Sequence, residues 1–435
     1  PTLQSLRYPL VKDSELGLWR AEPPPRLRGG MDPIEKGPSE TTYQDYELSV
    51  ADRAALPTLN LAPPGTFNLD TLNPSLGQDT WAARLHLFAI QTRLRRHARQ
   101  YFKTFTAPRA PLILPARDLL PEPMFSHLFN QRKGLVFGEG HESSLTRRFL
   151  IDNMQALQRQ GVQRLYMEFF STDLHQNALD IFNGSLTTPM PAILREHLRW
   201  LEVHFKLTNS YTYTQLVETA HAQGIRVMAL DATVSSQHKT GDLTRPGAAS
   251  TLSDQLDRVT LFNFFGFKKI TYDQVIFGPH RWIALVGLGH CSTVQSIPGL
   301  ADLTGGVSLR VANRLPTLPL RINRDSGITI PSPDDTHPLR STCDLLVCTP
   351  ALKSSFPVEA RVHSPTMFLT THSPSGEVDV YYMNAQHQRV TVPVMTDGSQ
   401  IYLEHIAFGA VHNRRFIDLS ALVDALVDEL HMIEV

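Results

Sequence analysis

Cysteine is scarce in this chain: Cys291, Cys343 and Cys348 are the whole supply in 435 residues. Three thiols cannot all pair, and none stands in a zinc-ligand spacing with histidine, which excludes a disulfide scaffold and fits a reducing working compartment. No apolar run approaches the ~20 residues that a bilayer span needs. No signal-peptide pattern opens the chain, and its first residue is Pro1, so the expectation is a piece of something longer. Charge of either sign is in no excess, with a formal net of −1. No global field therefore draws the protein to nucleic acid or to an acidic membrane. What is present, 42% hydrophobic and 19% charged residues, is the balance of a soluble folded chain. The length exceeds one ordinary core, which predicts two domains and an arm in a monomer.

Residues 1–41 carry Glu22-Pro-Pro-Pro-Arg26 and Gly29-Gly30 without apolar periodicity, the pattern of an arm or linker that cannot offset its ordering entropy. Residues 42–335 form the main unit. It opens with a helical lead-in over 79–107, in which Trp81, Leu85, Phe88, Ala89, Leu94 and Phe102 follow helical spacing. The other side of that helix carries Arg84, Arg93, Arg95, Arg96 and Arg99, a solvated face or a weak membrane-surface contact. Then apolar strands alternate with helices: 134–139, 164–170, 225–231 and 281–287 read as strands, with 306–311 closing the set. Near-continuous apolar strands joined by helices predict an α/β fold, a mainly parallel sheet covered on both faces. Residues 340–435 change character, to four short strands (366–371, 378–383, 389–394, 400–403) and a helix over 419–430. They predict a small α+β domain.

The informative regularity is where ionisable residues fall. Glu139 ends the first strand, Glu168 lies near the end of the second, Asp231 ends the third and His290 follows the fourth. In a parallel sheet all carboxyl ends share one edge, where ligands bind. Residues distant in sequence should therefore converge there, with His141 arriving two places after Glu139. Two neighbouring carboxylates cannot both ionise cheaply, so one of them is expected to have a raised pKa and to serve as general acid or base. Carboxylate plus imidazole is also a set able to hold a divalent metal (Mn, Co or Zn) and activate water. Both alternatives, with and without metal, stand. Asp231 reads equally as a helix cap, and Glu142, at a helix start, as a dipole partner. His175 lies at the reach of the site edge. Cys291 follows His290, but adjacent side chains of an extended chain point apart, which counts against a catalytic thiol.

The ordered motifs Gly138-Glu-Gly-His-Glu142, Arg147-Arg-Phe-Leu-Ile-Asp-Asn-Met154, Leu165-Tyr-Met-Glu-Phe169, Thr172-Asp-Leu-His-Gln176, Gly224-Ile-Arg-Val-Met-Ala-Leu-Asp231 and Trp282-Ile-Ala-Leu-Val-Gly-Leu-Gly-His290 resemble the TIKI/erythromycin-esterase-like superfamily. The branch they are most similar to is the domain shared by the mitogenic toxin of Pasteurella and the Ras-cleaving effector domain of large Vibrio toxins. The resemblance covers about residues 42–315. It implies catalytic roles for Glu139, His141, Glu168 and His290; Asp231, His175 and Cys291 stand behind them on the reading of the residues alone. It further implies a toxin or effector secreted or injected by a bacterium and acting in host cytoplasm, hydrolysing an amide or ester bond in a host protein such as a small GTPase. Other superfamily members are metal-dependent or bind haem. One departure stands out: where the toxin branch often has a histidine after the second-strand glutamate, this chain has Phe169.

The C-terminal segment has the faint outline of an SH2 domain, but Thr371 occupies the place of the phosphate-gripping arginine. Without a bidentate guanidinium no phosphotyrosine site is expected. The competing functional reading is a non-catalytic host-targeting or haem-binding module of a larger toxin.

Overall fold

The structure, a computed structural model, describes residues 10–12, 19–21, 37–55, 78–106, 109–141, 143–207, 211–236, 252–314, 318–330, 339–350, 362, 367–372 and 377–434. The Pro-rich run 22–26 and Glu142 lie outside them, as do the side chains of Trp81, Arg84 and Leu85. Inside the expected arm, Leu10–Lys12 and Trp19–Ala21 pair as an antiparallel ribbon.

Apolar runs become strands because each buries both faces. In chain order the main sheet contains β1 (Gly134–Glu139), β2 (Val162–Ser171), β3 (Arg226–Asp231), β4 (Arg281–Gly287), β5 (Val307–Arg314), β6 (Arg321–Arg324) and β7 (Leu345–Pro350). Across the sheet they run β3-β2-β4-β1-β5-β7-β6, parallel except where β6 meets β7 antiparallel. The sheet therefore does not close at β5, as the sequence suggested. Residues 345–350, assigned above to the second unit, add another parallel strand, and β6 caps that edge. Both runs are too short and too close to turns for their pattern to betray pairing with a distant strand.

Among the described helices are α1 (Gln78–Thr104), α2 (Pro121–Phe129), α3 (Leu145–Arg159), α4 (Thr172–Phe182), α5 (Ala192–His204), α6 (Tyr213–Ala222), α7 (Leu252–Ile276), α8 (Leu288–Cys291) and α9 (Leu300–Thr304). Leu135, Phe137, Leu165, Met167, Ile283 and Leu285 point to one face and pack against α2 to α6. Their neighbours Val136, Tyr166, Ala284 and Val286 point to the other, against Phe262 and Ile270 of α7 and Leu300 of α9. The period of two along a strand thus sorts every side chain to one layer or the other. Outside α7 lies α1, which buries Ala83, Leu87, Ile90, Leu94 and Ala98 against Leu261, Phe264 and Phe265. This stripe corrects the expected one: Ala89 is exposed and Phe88 only half-buried. The rotation has a cause on the arginine side. Arg95 is buried and grips Asp257 of α7 with Nε and Nη2 at 2.7–2.9 Å, so the basic face is partly an internal seam.

The C-terminal segment forms β8 (Met367–His372), β9 (Val378–Met383), β10 (Arg389–Asp397), β11 (Gln400–Leu403) and β12 (Ile433–Glu434), ordered β11-β10-β9-β8-β12. Helix α10 (Leu419–Asp428) starts where the Asp418 carboxylate accepts from the Ala421 N–H at 2.8 Å. Leu422 and Leu426 of this helix pack on Phe368, Val380 and Leu403, a core separate from those of the main sheet. Ion pairs Arg314–Glu434, Arg321–Asp424 and Arg117–Asp428 join the two sheets' surroundings.

Candidate active site

Glu139 and Glu168 leave their strands toward opposite faces of the sheet, and His141 lies between them. Glu139, the last residue of β1, points to the α3/α6 face. There its Oε2 accepts from Arg147 Nη1 at 2.9 Å and its Oε1 from the Tyr213 hydroxyl at 2.5 Å. Arg147 is wholly buried, lies over the Tyr213 ring at 4.2 Å and donates to the Tyr211 carbonyl at 3.1 Å. Burial and the Glu139 charge push the Tyr213 phenol well above its ordinary pKa, so it stays a donor.

Glu168 sits where the ladder between β2 and β3 becomes irregular, between Met167 and Ser171. It faces α7. Oε2 accepts the Gly287 N–H at 2.6 Å, while Oε1 lies 3.4 Å from both Arg258 Nη2 and His290 Nε2. Burial alone would raise its pKa, but His290, His141 and Arg258 outweigh it and hold the carboxyl at about 2. Asp231, at the end of β3, takes a charge-assisted bond from Arg258 Nη2 at 2.6 Å and one from the Ser235 hydroxyl. Here burial and the nearby Glu168 prevail over Arg258, and the pKa rises to about 6.

His141 closes the arrangement. Its Nδ1 faces Glu139 Oε1 at 3.7 Å, an ion-pair distance longer than a hydrogen bond. Its Nε2 lies over Gly287: a β-carbon there would fall 3.0 Å from Nε2, 2.8 Å from Cε1 and 3.4 Å from Glu168 Oε2. Only glycine leaves room for the ring at that strand end. Its side chain is 34% exposed, against 9% for His290 and 7% for Glu168, so it is the member that solvent reaches. Burial would lower the His141 pKa, yet the carboxylates of Glu139 and Glu168 carry it above its usual value. Phe169 and Phe205 wall the ring at 4.9 and 5.2 Å.

His290, on α8, is set by Asn263 of α7. The Asn263 amide donates to the Pro298 carbonyl at 2.9 Å, which turns its Oδ1 toward His290 Nδ1, also at 2.9 Å. This orientation assigns the proton to Nδ1 and aims Nε2 at Glu168.

The structure thus brings Glu139, His141, Glu168, His290 and Asp231 to one edge. It does not bring His175 or Cys291 to it. His175 is buried against His197 at 4.2 Å and accepts from the Ser171 N–H; burial, then His197, hold it well below its ordinary pKa. The Cys291 thiol donates to the Val136 carbonyl at 3.1 Å and meets Cys343 Sγ at 3.7 Å, away from the edge. The expected raised carboxylate is also corrected. Glu139 and Glu168 do not face each other, since an imidazole and two guanidiniums stand among them; Glu168 is lowered, and the raised carboxyl beside it is Asp231.

A divalent metal would have to compete with these donors, two of them cationic, for the same carboxylate oxygens. Both oxygens of Glu139 and of Glu168 face donors, two of them guanidiniums, and no group of three or more His, Cys, Asp or Glu among the described residues is disposed to hold an ion. As arranged, the set does not fit the metal.

Sequence reasoning missed Arg147, Tyr213, Arg258 and Asn263, though a signal existed. Arg147 falls in step with Leu150, Met154 and Leu157, and Arg258 with Leu261, Phe262 and Phe265. A charged residue on an apolar helical stripe needs a buried partner.

Fold and site together define an α/β protein with one carboxylate held between two imidazoles at the carboxyl edge of a parallel sheet. Among the proteins it is similar to are bacterial toxins, as the motifs led one to expect. Over 210 residues, 48% of this chain, it is 27% identical to the multifunctional-autoprocessing repeats-in-toxin protein of Vibrio vulnificus, and it spans 3% of that protein's length. No family model matches the chain. Solved structures similar to it include RRSP, a MARTX toxin effector domain from Vibrio vulnificus CMCP6, at 20% identity and a TM-score of 0.42 over 63% of this chain and 56% of that one. The C-terminal region of Pasteurella multocida toxin, described as having a thiol-protease-like triad, matches at 12% identity and 0.42 over 55% and 32% of the two chains. The haem-binding ChaN of Campylobacter jejuni matches at 12% and 0.32, over 53% and 91%. At such values the chemistry must come from the side chains themselves.

Proposed function

We propose that this chain is a toxin effector domain whose sheet edge hydrolyses an amide bond in a host protein, with His141 as general base. The observation that carries the reading is the position of His141, solvent-accessible and set between Glu139 and Glu168. A neutral imidazole with a pKa near working pH is the efficient base for water. Glu139 orients Nδ1, as a carboxylate does in a hydrolytic triad, and Nε2 takes the proton of the attacking water. Glu168, held at about 2, is too weak a base for that task. Its charge instead favours the protonated form of His141. Protonated His141 then returns its proton to the leaving amine, while His290 and Arg258 supply positive charge beside the developing oxyanion. The reading is metal-free, supported by the donors already engaged at both glutamates. The family resemblance points to a small GTPase as the substrate and to the host cytoplasm as the place of action.

Wild type, His141→Asn and Glu168→Gln, each added to host-cell lysate, test this by mass spectrometry of new amino termini. Cleavage sites should appear with the wild type, vanish in His141→Asn and persist at a lower level in Glu168→Gln, and those of the wild type should survive metal chelation. New termini that persist undiminished in folded His141→Asn would end the proposal.

A further inference from the structure

At the opposite edge, where the parallel strands begin, a cleft of about 350 Å3 opens between residues 109–114, the start of β5 and the end of β6. Its wall carries Arg109, Arg132 and Arg324 and one carboxylate, Asp344. Arg109 is held by the Gly306 carbonyl at 2.9 Å and by Asp344 and Asp302 at 2.6 Å each. Arg132 donates to the carbonyls of Gln131 and Ala110, partners that fix its position without neutralising its charge. Arg324 is exposed and makes no side-chain bond among the described residues. Three guanidiniums thus face two carboxylates, and the surplus is positive.

We propose that this cleft binds a phosphate-bearing small molecule at a site separate from the hydrolytic one. Guanidinium groups suit phosphate oxygens, and the charge on offer is that of Arg324 and Arg132, since both Nη atoms of Arg109 are engaged by Asp344, Asp302 and the Gly306 carbonyl; Arg132 is already positioned, so little ordering opposes binding. The cleft's volume, at the low end of small-molecule pockets, suits a compact ligand better than an extended peptide. A ligand here would tie the 109–114 segment to β5, β6 and the turn before β7, at the edge remote from His141. It would stabilise the fold without competing with a substrate.

Calorimetric titration of the full chain with inorganic pyrophosphate, paired with thermal melts, tests the site. Saturable binding and a raised Tm are expected, with affinity about tenfold weaker in Arg324→Ala and in Arg132→Gln. Arg324→Ala removes a side chain that bonds nothing described, so the fold is kept. Flotation with phosphatidylcholine vesicles, with and without a phosphoinositide, separates the ligand's sources. Co-flotation lost in Arg324→Ala identifies a lipid headgroup, whereas pyrophosphate binding without flotation identifies a free phosphate compound. Absence of binding to either probe, or binding indifferent to both substitutions, overturns the proposal.

Discussion

Strand β2 and helix α7 together bury charge twice, with opposite results. Toward the carboxyl end of β2, Glu168 meets Arg258 from the first half of α7 and His290, which Asn263 of α7 positions. Two residues earlier on the same face, Tyr166 donates to Asp273 at 2.9 Å, and Lys269 grips both oxygens of Asp273 at 2.8 Å. The second cluster is closed: each charge has its opposite and both side chains are at most 3% exposed. The first is open, with two imidazoles beside Glu168, one guanidinium shared between Glu168 and Asp231, and His141 reaching solvent. Buried charge alone therefore does not mark a site. An unequal count of partners plus access does.

The largest effect should separate the two clusters by activity. His141→Asn is expected to lower turnover about 10²–10⁴-fold, the usual contribution of a positioned acid–base group. The melting temperature should hardly move, because the ring is partly solvated. In Asp273→Asn the Lys269 ammonium is left buried without its counter-charge, which costs roughly 3–5 kcal/mol of stability. The surviving folded enzyme should keep its turnover. Urea melts and single-turnover assays on both variants read the contrast, and loss of activity in both beyond loss of folded protein would erase it.

A pH profile sharpens the comparison further. The neutral ring is the base, so kcat/KM should rise with pH through a midpoint above 6.5, the ordinary histidine value that the two carboxylates exceed. Glu168→Gln removes one of those charges and should move the midpoint down; Asp273→Asn should leave it in place. Stability carries opposite signs from two carboxyls of the open cluster. Glu168 contributes stability that is present above its ordinary 4.5 and lost as pH falls toward about 2. Asp231 binds its proton more tightly when folded, so stability falls as pH rises from 3.8 to about 6. Asp231→Asn should abolish the second slope and spare the first, measured by melts across that range.

How much of this was legible depends on which kind of information a residue carries. The strand ends were, because runs such as Trp282–Val286 have one reading and a parallel sheet places all their carboxyl ends together. Glu139, His141, Glu168 and His290 follow from that single rule. Their roles were not legible, since role depends on partners that come from helices: Arg147 and Tyr213 on one face, Arg258 and Asn263 on the other. Helices α2 and α5, opening at Pro121 and after Pro191, were passed over because proline masks a helix start that it in fact favours. Strands β6 and β7 were missed because pairing across distant segments leaves no local trace.

The smallest expected effect concerns the thiol next to His290. Position alone makes Cys291 look like a nucleophile, and a carboxylate, an imidazole and a thiol would compose a familiar triad. The side chains say otherwise. His290 Nε2 is directed to Glu168 and its Nδ1 to Asn263, so neither nitrogen is placed to take the thiol proton. The Cys291 sulfur is fully buried between the Val136 carbonyl and Cys343, among the side chains that pack β1 and β4 against α7. Cys291→Ala should therefore behave as a core truncation, lowering stability on the order of 1 kcal/mol and leaving turnover within about twofold. Alkylation should tell the same story, with Cys291 modified only after unfolding. A folded Cys291→Ala protein as inactive as His141→Asn would transfer the nucleophile from water to sulfur, and the line between the open cluster and the closed core would have to be redrawn through α8.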